Sequence, residues 1–188
     1  MRASTLQAYT VRRMPSKVIP IKPPNISQNI QLITNLLNAN ADIEDVDKGL
    51  NTALIKATIV PGNMKIIQCL LEHKANPNTI NINYETALSL LLDQQHKDTY
   101  AYTELFIKYG AYINLQHSYG YTPLMKIIRS RTPNIKLIKL FLKLGAYVNI
   151  QTKNSRRTPL MLAITPEIIK LLLEHKSNTY IKCKLGYT

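Results

Sequence analysis

The chain has 188 residues, a formal net charge of +13, 45% hydrophobic residues and no tryptophan. That length suits one or two globular domains or one elongated array, with apolar content sufficient for a core. No apolar run approaches the roughly 18 residues of a membrane-spanning helix. Neither a phosphate-cradling glycine-rich loop nor a Cys-x-x-Cys pair occurs.

Residues 1–24 stand apart. They hold Arg2, Arg12, Arg13, Lys17 and Lys22, no acid, and Pro15, Pro20, Pro23 and Pro24. Prolines at this density block a helix, so an extended, disordered basic arm is expected. The same composition suits a mitochondrial transit peptide, but Pro15 would cut its helix short, and there is no apolar segment of the kind that directs secretion.

Four apolar stretches then follow, opened by Thr52-Ala53-Leu54, Thr86-Ala87-Leu88, Thr122-Pro123-Leu124 and Thr158-Pro159-Leu160. Each closes with two large apolar residues and then a small one: Leu70-Leu71 with Ala75, Phe106-Ile107 with Ala111, Phe141-Leu142 with Ala146, and Leu172-Leu173 with Ser177. Self-similarity at this period indicates a stacked repeat array. From the small residue to the next threonine the chain runs 11, 11, 11, 12 and 11 residues, starting at Ala41. From threonine to small residue it runs 23, 25, 24 and 19. The near-constant segment must make register-dependent contacts with its neighbours; the variable one must contain a turn that reaches solvent, where insertions are tolerated.

The third unit shows the local structure most clearly. Residues 111–121 read as extended, with Gly120 free to take a positive φ at a turn. Thr122 is a cap candidate and Pro123 sits in the first turn of a helix through Ile128. Arg131-Thr132-Pro133-Asn134 is an interhelical turn. A second helix then carries Leu137, Ile138, Phe141 and Leu142 on one face and ends at Gly145. Neither helix is long enough to stand alone, so each must bury its face against a neighbouring unit. Leu124, Leu142 and Ala146 are expected in the core between units.

Thr-Pro-Leu opening one helix, and Leu-Leu-x-x-Gly-Ala-x-Val-Asn closing the next, resembles the ankyrin repeat. The best matches are residues 120–125 with 141–149, and 157–163 with 168–175. The resemblance implies an all-α repeat solenoid: an ankyrin-type helix-turn-helix stack with β-hairpin loops, spanning residues 25–188. A half-repeat would occupy 25–46, full repeats 47–80, 81–116, 117–152 and 153–182, and the start of a further repeat 183–188. The excess of isoleucine, lysine and asparagine points to an AT-rich genome and resembles the ankyrin proteins of large, giant DNA viruses; a eukaryotic parasite or an intracellular bacterium is the alternative source.

The sequence departs from the family pattern in places. The histidine usual after Thr-Pro-Leu is replaced by Ile55, Ser89, Met125 and Met161. The glycine that usually ends the second helix is Asn40, Lys74 and Lys176 in three units, and a side chain forced to positive φ there costs about 1 kcal/mol. Thr103 fills a slot that is otherwise apolar. The fourth repeat is short, with Thr165-Pro166 abutting its second helix. The third repeat is expected to be the firmest.

Charge divides the array. Residues 25–100 carry five Lys and Arg against eight acids; residues 101–188 carry fourteen against only Glu104, Glu167 and Glu174. A basic half of this kind attracts anionic partners. Lys136, Lys139, Lys143 and Lys170 fall on second helices, however, and read as ordinary convex-surface lysines. Arg156, Arg157 and Lys184 fall in the loops that ankyrin proteins use for contact.

No catalytic, cofactor or metal set stands out. His73 and His175 recur at equivalent positions near helix ends, a repeat echo that suits the helix dipole. His96 falls in an interhelical turn, and His117 begins a hairpin. Cys69 reads as a buried free thiol, and two unpaired cysteines suit a reducing, cytoplasmic compartment, with the nucleus as the alternative. The reading is therefore a non-enzymatic protein-binding scaffold that needs no cofactor. Its charge favours an acidic protein partner, which is a host protein if the source is viral. By analogy with the ankyrin surface its contacts are Glu85, Tyr119, Tyr121, Lys126, Arg129, Arg156 and Arg157. The alternative is an electrostatic binder of nucleic acid or anionic membrane through the basic half. Leu185-Gly186-Tyr187-Thr188 repeats the pattern of Tyr119-Gly120-Tyr121-Thr122 without the helices that follow it. That predicts a piece of a longer array, or self-association through the uncapped last repeat.

Overall fold

The computed structural model describes residues 26–94 and 98–188. The basic arm at 1–24 and His96 lie outside the described residues. The helices are α1 (Ile26–Asn38), α2 (Ala53–Ile59), α3 (Met64–Glu72), α4 (Ala87–Gln94), α5 (Thr99–Lys108), α6 (Pro123–Arg129), α7 (Ile135–Lys143), α8 (Pro159–Leu162) and α9 (Pro166–Glu174).

The recurrent threonine starts the first helix of each unit. Thr52, Thr86, Thr122 and Thr158 are buried, and their hydroxyls accept from the backbone N–H three residues on, at 3.3, 3.1, 3.3 and 3.4 Å. This satisfies one of the donors that every helix start leaves unpaired. Ser89 strengthens its own cap: its hydroxyl accepts from the Thr86 N–H and donates to the Thr86 carbonyl, both at 3.0 Å.

The recurrent close of the second helix has an equally local cause. Asn40, Lys74, Gly110, Gly145 and Lys176 all take positive φ, from 57° to 84°. At each, the left-handed residue donates to a carbonyl three residues back, and the next residue donates five back: Gly145 to Leu142 and Ala146 to Phe141, for example, at 3.1 and 2.9 Å. These paired bonds cap the helix end. The large apolar pair supplies both carbonyls, and the small residue, Ala75, Ala111 or Ala146, is buried just beyond them. His73 and His175 sit at the same stage, each donating from Nδ1 to the carbonyl four residues back, at 2.8 and 2.9 Å.

First helices stack in one layer, α2 on α4 on α6 on α8, and each packs on the second helix that follows it. In the second layer α1 packs on α3 and α7 on α9. The core runs between the layers: Leu54, Leu88 and Leu124 at equivalent places, then Phe106, Phe141, Leu142 and Ala146, all buried. Thr103 is fully buried without penalty because its hydroxyl donates to the Thr99 carbonyl at 2.7 Å. The fourth unit is thinner. α8 has four residues, Leu160 is only half-buried, and Ile169 and Leu173 of α9 are exposed.

The loops reverse as hairpins do, yet no strand forms among the described residues. Each is a short finger closed by one backbone bond between its ends: Asp47 to Asn51, Asn81 to Glu85, His117 to Tyr121, Thr152 to Arg157 and Cys183 to Tyr187. Five or six residues are too few for a ladder. Neighbouring fingers instead bond edge to edge, Ile82 N–H to Gly49 O, Lys153 N–H to Tyr119 O and Lys184 N–H to Ser155 O, at 2.9 to 3.0 Å. Below them Asn78, Asn114 and Asn149 form a side-chain ladder. Asn114 donates to Gly145 O at 3.3 Å and accepts from Tyr147 N–H at 2.8 Å; the other two do the same one unit away.

Candidate functional site

The third finger and the first helix that follows it border a cavity. It is open, about 500 Å³ in volume, and lies between that finger, the end of α4, and α6 with the turn that follows it. Four of the seven sequence-derived contact residues line it: Tyr119, Tyr121, Lys126 and Arg129. Glu85 touches the same group through Lys126. Arg156 and Arg157 are exposed on the next finger and are not part of this cavity. His117, Asp93 and Arg131 also line it and were not among the expected contacts.

The third finger differs from the first, second and fourth in its first residue. In the first finger, the Asp47 carboxylate accepts from the Gly49 and Asn51 N–H groups at 2.8 and 2.9 Å. Those bonds and Lys56 outweigh the burial that would raise its pKa and hold the carboxyl down at about 2. Asn81 accepts two equivalent bonds in the second finger, and Thr152 accepts from Arg157 N–H in the fourth. In the third, the position is His117, and neither ring nitrogen has a hydrogen-bond partner although the residue is 5% exposed. Here Ser118–Gly120 is a 3₁₀ turn, and Tyr119 at φ 62° adds a second left-handed residue before Gly120 at φ 78°. Gln116 donates to Gly120 O at 2.7 Å, as Gln151 does to Arg156 O in the fourth finger at 2.6 Å.

Burial lowers the His117 pKa to about 4, helped by the charge of Lys126 and opposed by Asp93, so the ring is neutral near pH 7. It stacks on Tyr121 with ring centroids 6.4 Å apart. Tyr121 is half-buried against the core and lies under Arg129, whose guanidinium carbon is 5.0 Å from the ring centre. Tyr119 lines the same cavity and is 67% exposed.

The cations of the cavity are unequal. The Lys126 ammonium bonds to the Asp93 carboxylate and to Ser89 O at 3.2 Å, with Glu85 3.8 Å away. Its charge is committed to tying α6 to α4 and the second finger. Arg129 and Arg131 are exposed and have no carboxylate partner among the described residues. The convex lysines, Lys136, Lys139, Lys143 and Lys170, are exposed on α7 and α9. Cys69 is a buried free thiol whose pKa burial pushes up, and Cys183 is also free. Among the described residues no group of three or more His, Cys, Asp and Glu could hold a metal ion, and no helix is long and apolar enough to cross a membrane.

Comparison with known families finds that residues 95–183 match the family model "Ankyrin repeats (3 copies)". No curated protein matches the chain.

Proposed function

We propose that this chain is a non-catalytic scaffold that binds a protein partner through the face of fingers and first helices, centred on the third finger. The fold is an all-helical repeat solenoid, most of the cavity falls within the segment that carries ankyrin repeats, and ankyrin repeats are generally protein-interaction modules. On the viral resemblance of its composition, that partner is a host protein. The observation that carries this reading is the convergence of Tyr119, Tyr121 and Arg129 around one cavity on that face. Tyrosine and arginine are among the residue types that dominate binding energy at protein interfaces. The second reading, an electrostatic binder of nucleic acid or anionic membrane, draws on the excess of base over acid in residues 101–188. The second helices hold five of those bases, Lys108, Lys136, Lys139, Lys143 and Lys170, away from the fingers, together with Glu104, Glu167 and Glu174.

The test is partner capture from cell extract with variants of each face. Tyr121 is a poor probe because it is packed on the core. Tyr119→Asn removes an exposed ring while keeping a residue that tolerates positive φ, and Arg157→Ala removes an exposed charge. Both should reduce capture of the protein partner by about ten-fold or more without lowering the melting temperature. Lys139→Ala, on the convex side, should leave capture unchanged. Loss of capture with Lys139→Ala alone would refute the assignment. Binding that falls steeply with salt and is blind to sequence would favour the nucleic-acid reading.

A further inference from the structure

Three features of the cavity at the third finger point to one kind of ligand. Arg129 and Arg131 present guanidinium groups that no acid of the described chain neutralises, while Lys126 beside them is already paired with Asp93 and Glu85. His117 lines the same cavity, 95% buried, with both ring nitrogens lacking a partner. Buried polar groups are almost always hydrogen-bonded, and these nitrogens are closed off from solvent, so a rotation of the ring toward the cavity would let one of them meet a ligand atom. The turn does not need the imidazole, since the residues at this position in the first, second and fourth fingers bond their own loops and His117 does not.

We propose that this cavity is a carboxylate-recognition site that seats an aspartate or glutamate side chain of an acidic segment on the partner protein. Arg129 and Arg131 supply the charge, and the forked guanidinium suits a carboxylate in two-point contact. Neutral His117, its ring turned toward the cavity, donates one ring N–H to the seated oxygen. The exposed ring of Tyr119 covers the peptide chain at the rim. Asp93 on the wall sets the limit: beside it a single negative charge is accommodated better than the dianion of a phosphate. The excess of base over acid in residues 101–188 would draw an acidic segment toward this end of the array. The inference rests on the protein-binding reading above and names the chemistry of the partner.

The experiment uses the whole chain and a fluorescein-labelled decaglutamate peptide, with a decaglutamine peptide as control. Binding is read by fluorescence anisotropy at low and at physiological salt. Arg129→Gln with Arg131→Gln should weaken decaglutamate binding by about ten-fold or more, equivalent to about 1.4 kcal/mol. Lys139→Gln with Lys143→Gln removes the same charge from the convex side and should change it less than about two-fold. Because Arg129 also lies on Tyr121, Arg131→Gln alone serves as the variant with no folding contact to lose, and it should show part of the effect. In the wild-type chain, the His117 ring signals in NMR should shift on adding decaglutamate and stay in place with decaglutamine. Equal weakening by both double variants, or His117 signals that do not move, overturns the site. If Tyr119→Asn still abolishes capture of the protein partner in that event, the protein-binding reading survives without the carboxylate site. If a short duplex DNA binds more tightly than decaglutamate and is lost with the convex lysines, both fall.

Discussion

His117 shows how one residue can change a whole loop. Aspartate, asparagine and threonine accept N–H bonds from a tight turn with a short side chain; the imidazole accepts none of them, and its nitrogens are buried without a partner. The consequence can be measured. In the fold the His117 pKa is about 4, below its ordinary 6.5. As pH falls the unfolded chain takes up this proton first, so the stability contributed above about pH 6.5 is lost progressively toward pH 4. Each tenfold difference in proton affinity between the folded and unfolded chain corresponds to about 1.4 kcal/mol. His117→Asn restores the side chain that the second finger uses and removes the titration. Its melting temperature should exceed that of the wild type by a margin that widens between pH 7.5 and 4. Parallel melting profiles would mean that the ring is not held neutral. Other residue-scale features were legible in the sequence. The caps at Thr52, Thr86, Thr122 and Thr158, and the strained helix ends at Asn40, Lys74 and Lys176, follow from the repeat column alone. The same columns held a signal that was missed: Leu50, Tyr84 and Arg156 stand where Gly120 and Gly186 stand, two residues before the threonine, and all five take positive φ.

At the scale of elements, the fingers are coupled by backbone contact, which sets how much each can vary. Gly120 is needed twice over, for its φ of 78° and because a Cβ there would come within 2.6 Å of the Lys153 backbone nitrogen. That nitrogen is the donor that joins the fourth finger to Tyr119 O. Gly110 has a similar φ but nothing within 4 Å of an added Cβ. Gly110→Ala should therefore cost only the conformational term, about 1 kcal/mol. Gly120→Ala should cost about twice that or more, with faster amide exchange at Lys153, because the third and fourth fingers must part. Thermal unfolding and hydrogen exchange of the two variants check this; equal costs would show that the close approach carries no energy. This contact could not be read from spacing. The segment holding the fourth finger has 12 residues where the others have 11, and only the stacked structure shows which nitrogen meets which carbonyl.

For the whole molecule, stability is a sum over neighbouring units, and the proposed function is a property of one face. The sequence revealed the array through its periodicity, whereas the assignment of fingers and first helices to one side and second helices to the other came from the resemblance to ankyrin repeats. Neither revealed the cavity. Asp93, His117 and Arg131 come from the end of one helix, a finger of the next unit and an interhelical turn, and only stacking brings them together. Hydrogen–deuterium exchange on the chain with and without its captured protein partner tests the central claim most directly. Protection should increase at His117–Tyr121 and along α6, and stay unchanged along α7. Protection gained on α5, α7 and α9, with the third finger exchanging as in the free chain, would contradict it.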